Sequence, residues 1–366
     1  MLAMIRKEFR EVRRDRRTLA MLLLLPLVLL IVFGYAASFD VEQIKAIVYG
    51  PDAEVVEPHL PDKLDVVEVD PTGTKQDGEQ ALQDQEAVVA IVTGAEPVVL
   101  IDGSELFSAK AAQAGVAQMS AETGMTVDVE VLFNPDLSTS AVMVPAIIGF
   151  ILVFIGTVIT SLGIVRERQV GTLEQLAVMP FRASDVILGK IVPYLVIAVI
   201  DLVLVTAVGV VLFDVPFEGS FALLALGGLL FLLVTLGLGI LISTVSQNQG
   251  QAIQLALMTT MPQVLLSGMV FPIDSMAASV RWIAYLLPLT WFIRISRGVM
   301  LRGASLASLW LPYLALAGMA LVVFSMAVFR FRQDLGARSG RARAADGDGA
   351  ILEPEPQPEA ATEVLS

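Results

Sequence analysis

The sequence predicts an α-helical polytopic membrane protein: six transmembrane helices, with an extracytoplasmic α/β domain inserted between helices 1 and 2. Three observations carry this prediction. The 366 residues are 55% hydrophobic and only 17% charged, with a mean hydropathy of +0.74. The apolar residues fall in charge-free runs too long for a buried core helix, and a bilayer core of about 30 Å needs about 20 residues of helix to cross it. The acidic residues, which set the net charge of −13, are concentrated in one polar stretch between the first two runs.

The element order follows from these runs. Residues 1–17 hold seven basic side chains with Ile5, Phe9 and Val12 at helical spacing, which suggests an amphipathic helix on the cytoplasmic leaflet. A plain positively charged anchor gives the same topology. The first span covers residues 18–38, with its apolar run from Leu19 to Ala37 and a kink expected at Pro26. A cleaved signal peptide would share the basic start and the Ala36-Ala37-Ser38 sequence, but its apolar core would be shorter. Between Asp136 and Arg166 lie 29 uncharged residues, the second span. Further spans are expected at Ile191 to Phe213, Phe221 to Ile242, Ala252 to Ile273 and Ala304 to Phe329, with the polar patch Ser243 to Gln251 dividing two of them. Backbone amides need partners in hydrocarbon and the runs lack period-two alternation, so helices rather than barrel strands are expected.

Basic residues resist translocation, and 16 of the 24 Lys and Arg fall in residues 1–17, 166–190 and the tail from Arg330. Both termini are therefore expected in the cytoplasm of a cell whose plasma membrane the chain crosses. Residues 39–140 carry four Lys against 20 acids and belong outside. Runs at Ile44 to Tyr49, Leu64 to Val69, Val88 to Val92, Val98 to Ile101 and Val127 to Phe133 read as strands, and Gly78 to Glu86 and Ser104 to Thr123 as helices. The acidity of this domain fits a solvated surface or a site for cations, and charge does not separate the two. His59 lies between Pro-containing loops and reads as a surface residue. The remaining chain divides into the spans of residues 141–330 and a tail, 331–366, whose Gly, Arg and Glu-Pro composition predicts disorder.

Several function classes are excluded. With no Cys and one His, thiolate chemistry, zinc sites of the common kinds and Cys proteases have no residues to use. No metal site, no catalytic residue and no nucleic-acid partner is predicted. No GxxxxGK[ST] phosphate loop occurs; Gly189-Lys190 is followed by Ile191.

The stretch Arg166 to Lys190, RERQVGTLEQLAVMPFRASDVILGK, offers a short amphipathic helix that Thr172 can cap and Pro180 ends. Such a helix fits either the membrane interface or the groove of a cytoplasmic partner. This stretch closely resembles the cytoplasmic loop of ABC-2 type transporter permeases. Leu266 to Gly303, LSGMVFPIDSMAASVRWIAYLLPLTWFIRISRGVMLRG, is similar to the segment before the last span in that family, and Lys7 to Ala36 to its amphipathic start and first span. Tyr49-Gly50-Pro51-Asp52 departs from the Asp-x-Asp-x-Ser-like turn that relatives with large outer domains often have.

The resemblance implies an exporter permease subunit, itself not an enzyme and binding no cofactor. It would work with two copies of a separate ATPase subunit, which hold ATP and Mg, and with a second permease copy or close relative. It also implies coupling to the ATPase through Glu167, Gly171, Thr172, Glu174 and Leu176, with Arg166 and Arg168 at the end of the second span. An outer re-entrant segment, residues 267–302, is implied with Ser267, Gly268, Phe271, Pro272, Pro288, Arg294, Arg297 and Gly298. Arg294 and Arg297 are candidates for lipid head groups or an anionic substrate, or for simple snorkelling at the boundary. Gly227, Gly228, Gly237 and Gly239 permit close helix approach, within one subunit or between two. The cargo suggested is an amphipathic small molecule or lipid. Asp201, in the third span, should face protein or water; as a proton or cation relay it would point to a secondary transporter driven by an ion gradient. A non-transporting membrane scaffold is the third class.

Overall fold

A computed structural model describes residues 43–123, 127–170 and 183–348 of the chain. The N-terminal helix, the first span, the coupling residues Gly171, Thr172, Glu174 and Leu176, and the end of the tail lie outside the described residues.

The first unit is a five-stranded sheet. It begins with β1 (Ile44–Tyr49), then α1 (Ala53–Val56), β2 (Leu64–Asp70) and α2 (Lys75–Gln83). β3 (Val89–Val92), β4 (Val98–Asp102), α3 (Leu106–Thr123) and β5 (Asp128–Leu132) complete it. The strand order is β2-β1-β3-β4-β5; β1 pairs parallel with β2 and β3, β3 antiparallel with β4, and β4 parallel with β5. β1, β3 and β4 are apolar along nearly their whole length because both faces are covered. Ile47, Tyr49, Ala90 and Leu100 meet Ala81 and Leu82 of α2 on one face. Ile44, Ala46, Val89 and Ile101 meet Ala109 and Ala112 of α3 on the other. α2 starts on a reciprocal cap, with Thr74 Oγ1 accepting from the Asp77 amide and Asp77 accepting from the Thr74 amide. All five expected strands are present to within a residue or two. α2 begins three residues before the expected helix because that cap starts it.

The second unit is a helical bundle: α4 (Thr139–Val170), α5 (Ala183–Phe213), α6 (Phe221–Val245), α7 (Gln249–Leu266), α8 (Ala278–Ala284), α9 (Pro288–Met300) and α10 (Trp310–Asp348). Among the described residues, four helical stretches are long and apolar enough to cross a membrane: Thr139–Val170, Val192–Phe213, Phe221–Val245 and Trp310–Arg330. The protein is thus a helical membrane protein carrying an α/β sheet unit. α7 is not among the four: the run expected to continue to Ile273 stops at Leu266, where Gly268 turns the chain with a φ of +84° and Pro272 follows.

Three further boundaries differ from expectation. α4 continues through Val170, so Arg166, Glu167 and Arg168 stand on the helix and not in a loop. The last helix begins at Trp310 and not Ala304, since Gly303 has a φ of +60°. It runs to Asp348, so residues 331–348 are helical where composition predicts disorder. Arg and Ala are good helix formers, and an existing helix extends without a new nucleus.

The bundle core centres on Phe231 of α6 stacked on Phe292 of α9, with ring centroids 4.7 Å apart, surrounded by Ile148, Leu152, Leu202, Leu289 and Leu316. Midway along α4, Phe154–Ile159 is a π-helical segment. There Gly156 lies against Thr235, and Gly239 lies so close that a Cβ on it would sit 2.6 Å from the Gly156 carbonyl oxygen. The four glycines of α6 are used within the chain: Gly227 meets Ile295, Gly228 Leu202, Gly237 Val323 and Gly239 Gly156.

Candidate functional site

Three polar sites lie along α4. At its Val170 end, Arg168 donates to the Ser246 carbonyl at 3.0 Å, and Gln249 donates to Gln169 at 2.9 Å. These bonds tie the last turn of α4 to the short connection between α6 and α7. α7 is capped there by Asn248, whose side chain accepts from the Gln251 amide.

The second site runs up α7. Ala252, Ala256, Thr260, Gln263 and Ser267, spaced four, four, three and four, are its buried line, and the upper half of that line is polar. Near its start, Ala256 packs with Val158 and Leu162 of α4 and Ile242 of α6. The Thr260 hydroxyl, the Gln263 side-chain Oε1 and the Ser267 hydroxyl are buried with no hydrogen-bond partner among the described residues, as is the Thr160 hydroxyl on α4. A buried polar atom without a partner costs about 1–3 kcal/mol. Four such atoms, three of them between Thr260 and Ser267, leave hydrogen-bonding capacity unfilled inside the bundle among the described residues.

The third site joins the two units. Arg302 and Asp102 are both fully buried, with Nη1 3.7 Å from the Asp102 Oδ2. Arg302 also donates to the Ser104 hydroxyl at 2.9 Å, and the Ser104 amide donates to Asp102 Oδ1 at 2.8 Å. Burial pushes the Asp102 carboxyl up to about 6, against the pull of Arg302 and Ser104. Arg297 lies beside this pair, 4.0 Å from Glu105, and donates to the Val142 carbonyl at 3.3 Å and the Gly268 carbonyl at 3.2 Å. One guanidinium thus connects the sheet unit, α4 and the turn after α7. Gln83 of α2 adds a bond to the Arg302 carbonyl at 2.8 Å.

The expected outer-segment residues divide between these sites. Ser267, Gly268 and Arg297 come together. Gly298 is required beside them, since a Cβ there would sit 2.9 Å from Leu309 and 3.1 Å from the Arg302 Nη2. Pro288 opens α9 at a position where no amide is needed. Phe271 is buried with Leu265, Leu266 and Met276, and Pro272 precedes the single turn Ile273–Ser275. Arg294 is only half-buried, over the rings of Tyr285 and Trp291 at 5.2 and 5.3 Å. Of the two arginines paired in the sequence reading, Arg297 is therefore committed to internal contacts and Arg294 faces outward. Asp201 is half-buried on α5, and His59 is exposed, bonded to the Val55 carbonyl.

Asp102, Ser104, Glu105, Arg302, Thr260 and Gln263 were not singled out by the sequence. A lone Arg302 between Val299 and Ala307, and a Gln and Thr inside an apolar run, were the signals available.

The comparisons with known proteins agree with this architecture. Residues 16–329 match the model of the ABC-2 family transporter proteins. The chain is 30% identical over 328 residues to the probable multidrug ABC transporter permease YbhS of Escherichia coli, covering 81% of this chain and 87% of that one. It is 28% identical over 335 residues to the probable multidrug ABC transporter permease YbhR, 84% of this chain and 91% of that one. It is also 32% identical over 225 residues to the inner membrane transport permease YhhJ, covering 59% and 58% respectively. A multi-pass membrane chain, with no phosphate-binding loop in its 366 residues and matched over most of its length, the protein belongs to the ABC-2 family of transporters as a membrane permease.

Proposed function

We propose that this permease exports an amphipathic small molecule or lipid, driven by ATP that a separate ATPase subunit hydrolyses. In this reading two ATPase copies, carrying ATP and Mg, act on a pair of permeases. Each permease crosses the plasma membrane six times with both termini inside: residues 19–37 and α7 supply the two spans beyond the four long apolar helices. The sheet unit lies outside and α8 and α9 form the re-entrant segment.

The observation that carries the reading is the buried polar line Thr260, Gln263 and Ser267, which keeps unpaired oxygens among apolar helices. A scaffold would gain stability by replacing them. A carrier needs them to exchange partners with cargo or water as it switches states. The multidrug designation of the relatives YbhS and YbhR supports an amphipathic cargo.

Coupling is assigned to Arg166, Glu167, Arg168, Gly171, Thr172, Glu174 and Leu176. A push on the segment after Val170 would reach α7 through the Arg168 to Ser246 and Gln249 to Gln169 bonds. Vesicles containing the permease and its ATPase should accumulate a fluorescent amphipathic cation only with ATP. Flux that follows an ion gradient with no ATPase present would instead identify a secondary transporter working through Asp201. Glu174→Arg combined with Gly171→Trp should leave insertion and ATP hydrolysis intact and abolish the flux. Gln263→Leu should lower flux at least tenfold while leaving the melting temperature equal or higher, since one buried unpaired oxygen is removed.

A further inference from the structure

We propose that the Asp102–Arg302 contact is a proton-operated latch between the sheet unit and the membrane helices: protonation favours the docked arrangement seen here, and ionisation favours displacement of the sheet unit.

The geometry sets the sign. Asp102 stands at the last pair of β4, opposite Leu132 of β5, where the sheet meets the bundle. Ser104 supports the carboxylate through its amide, 2.8 Å from Oδ1, and its hydroxyl, while Oδ2 has no hydrogen bond among the described residues and is 3.7 Å from the Arg302 guanidinium. On Arg302, Nε and Nη2 are also buried without partners among the described residues. A fully buried carboxylate compensated this thinly is costly, so the docked state binds a proton more tightly than a state in which Asp102 is hydrated. The groups facing it point the same way. Glu105, from the turn before α3, repels its charge; Arg302 and Ser104 stabilise it but are outweighed by desolvation. Arg297 of α9 acts at one remove, since its own ion-pair partner is Glu105. From α2 the contact is neutral, an amide of Gln83 on the Arg302 carbonyl.

The docked carboxyl titrates near 6 and the ordinary one near 3.8, so docking is strongest in acid and weakens as pH rises through 6. Between pH 5 and pH 8 the ratio of docked to displaced molecules should fall about tenfold. The joint also has somewhere to go. Displacement would hydrate the Asp102 carboxylate and the Arg302 Nε and Nη2, which are unpaired among the described residues in the docked arrangement. Arg297 would carry such a shift to the Val142 and Gly268 carbonyls, next to Ser267 and the buried polar line. That the proton comes from outside the cell rests on the topology proposed above; the movement itself does not.

The chain has no Cys, so paired spin labels can be introduced without removing any thiol. Labels on Gln76→Cys of α2 and Ala307→Cys, both exposed, span the joint in the full-length protein in lipid nanodiscs. The expected result is a second, displaced distance population that grows about tenfold relative to the first from pH 5 to pH 8, with a midpoint near 6. Asp102→Asn should hold the docked distance at every pH, and Glu105→Gln should move the midpoint to lower pH. A single unchanged distance across this range in the labelled parent, or a pH response that survives in Asp102→Asn, would overturn the proposal. The parent titration alone decides the matter if a variant does not fold. In nanodiscs both faces meet the same solution, so the distances respond whichever side of the membrane the sheet unit occupies.

Discussion

α5 and α6 are two apolar helices of similar hydropathy with opposite surroundings. In α6, 61% of the spanning window is buried inside the molecule, against 22% in α5. Hydropathy cannot predict this difference, because lipid tails are as apolar as Leu and burial against protein gains little from leaving them. What separates the helices is side-chain size. α6 spends Gly227, Gly228, Gly237 and Gly239 on four different neighbours. α5 has Gly209 alone in its spanning part, against Val144, and exposes Val196, Ile200, Val203, Leu204, Val211 and Leu212. In α6 the small residues mark where neighbouring helices approach closely, whereas α5 turns a row of branched side chains outward.

Substitutions along the two helices can break that contrast, and the largest effect is expected at the centre of α6. Phe231→Ala removes a fully buried ring stacked on Phe292 and should cost about 3–5 kcal/mol, read as loss of monodisperse protein on extraction. Gly239→Leu forces a side chain against the Gly156 backbone, where nothing flexible can give way, and should cost about 3 kcal/mol with a matching fall in melting temperature. Gly228→Leu meets only the tip of the Leu202 side chain, which can turn aside, so about 1–2 kcal/mol is expected. On α5, Val211→Ala at an 81% exposed position should change the midpoint by less than about 0.5 kcal/mol. A large effect there would show that a second permease copy covers this face.

The sheet unit was legible in the sequence because both of its faces are buried: β1, β3 and β4 read as apolar runs punctuated by turns, and Gly50, with a φ of +100°, ends the first of them. The spans were legible as charge-free runs for the same reason that they cross a membrane. α7 was legible as a run but not as a boundary, since Ser267-Gly268 looks no different from Gly227-Gly228 until its φ is known. The latch was least visible. Asp102 and Arg302 are 200 positions apart, on segments whose local patterns say only strand end and helix end. Their meeting depends on how two units dock, which no local period encodes. The glycine at 298 carried part of the signal, because its missing side chain makes room for the Arg302 guanidinium.

The π-helical segment of α4 has a consequence for everything beyond it. One surplus residue between Phe154 and Ile159 offsets the angular phase of the helix by about 100°, at 3.6 residues per turn. Arg168 and Gln169 reach Ser246 and Gln249 from the azimuth that this offset sets. Deleting a single residue there would restore a regular helix and swing the charged terminal turn away from its contacts. The extra residue thus sets which edge of the span meets the connection between α6 and α7.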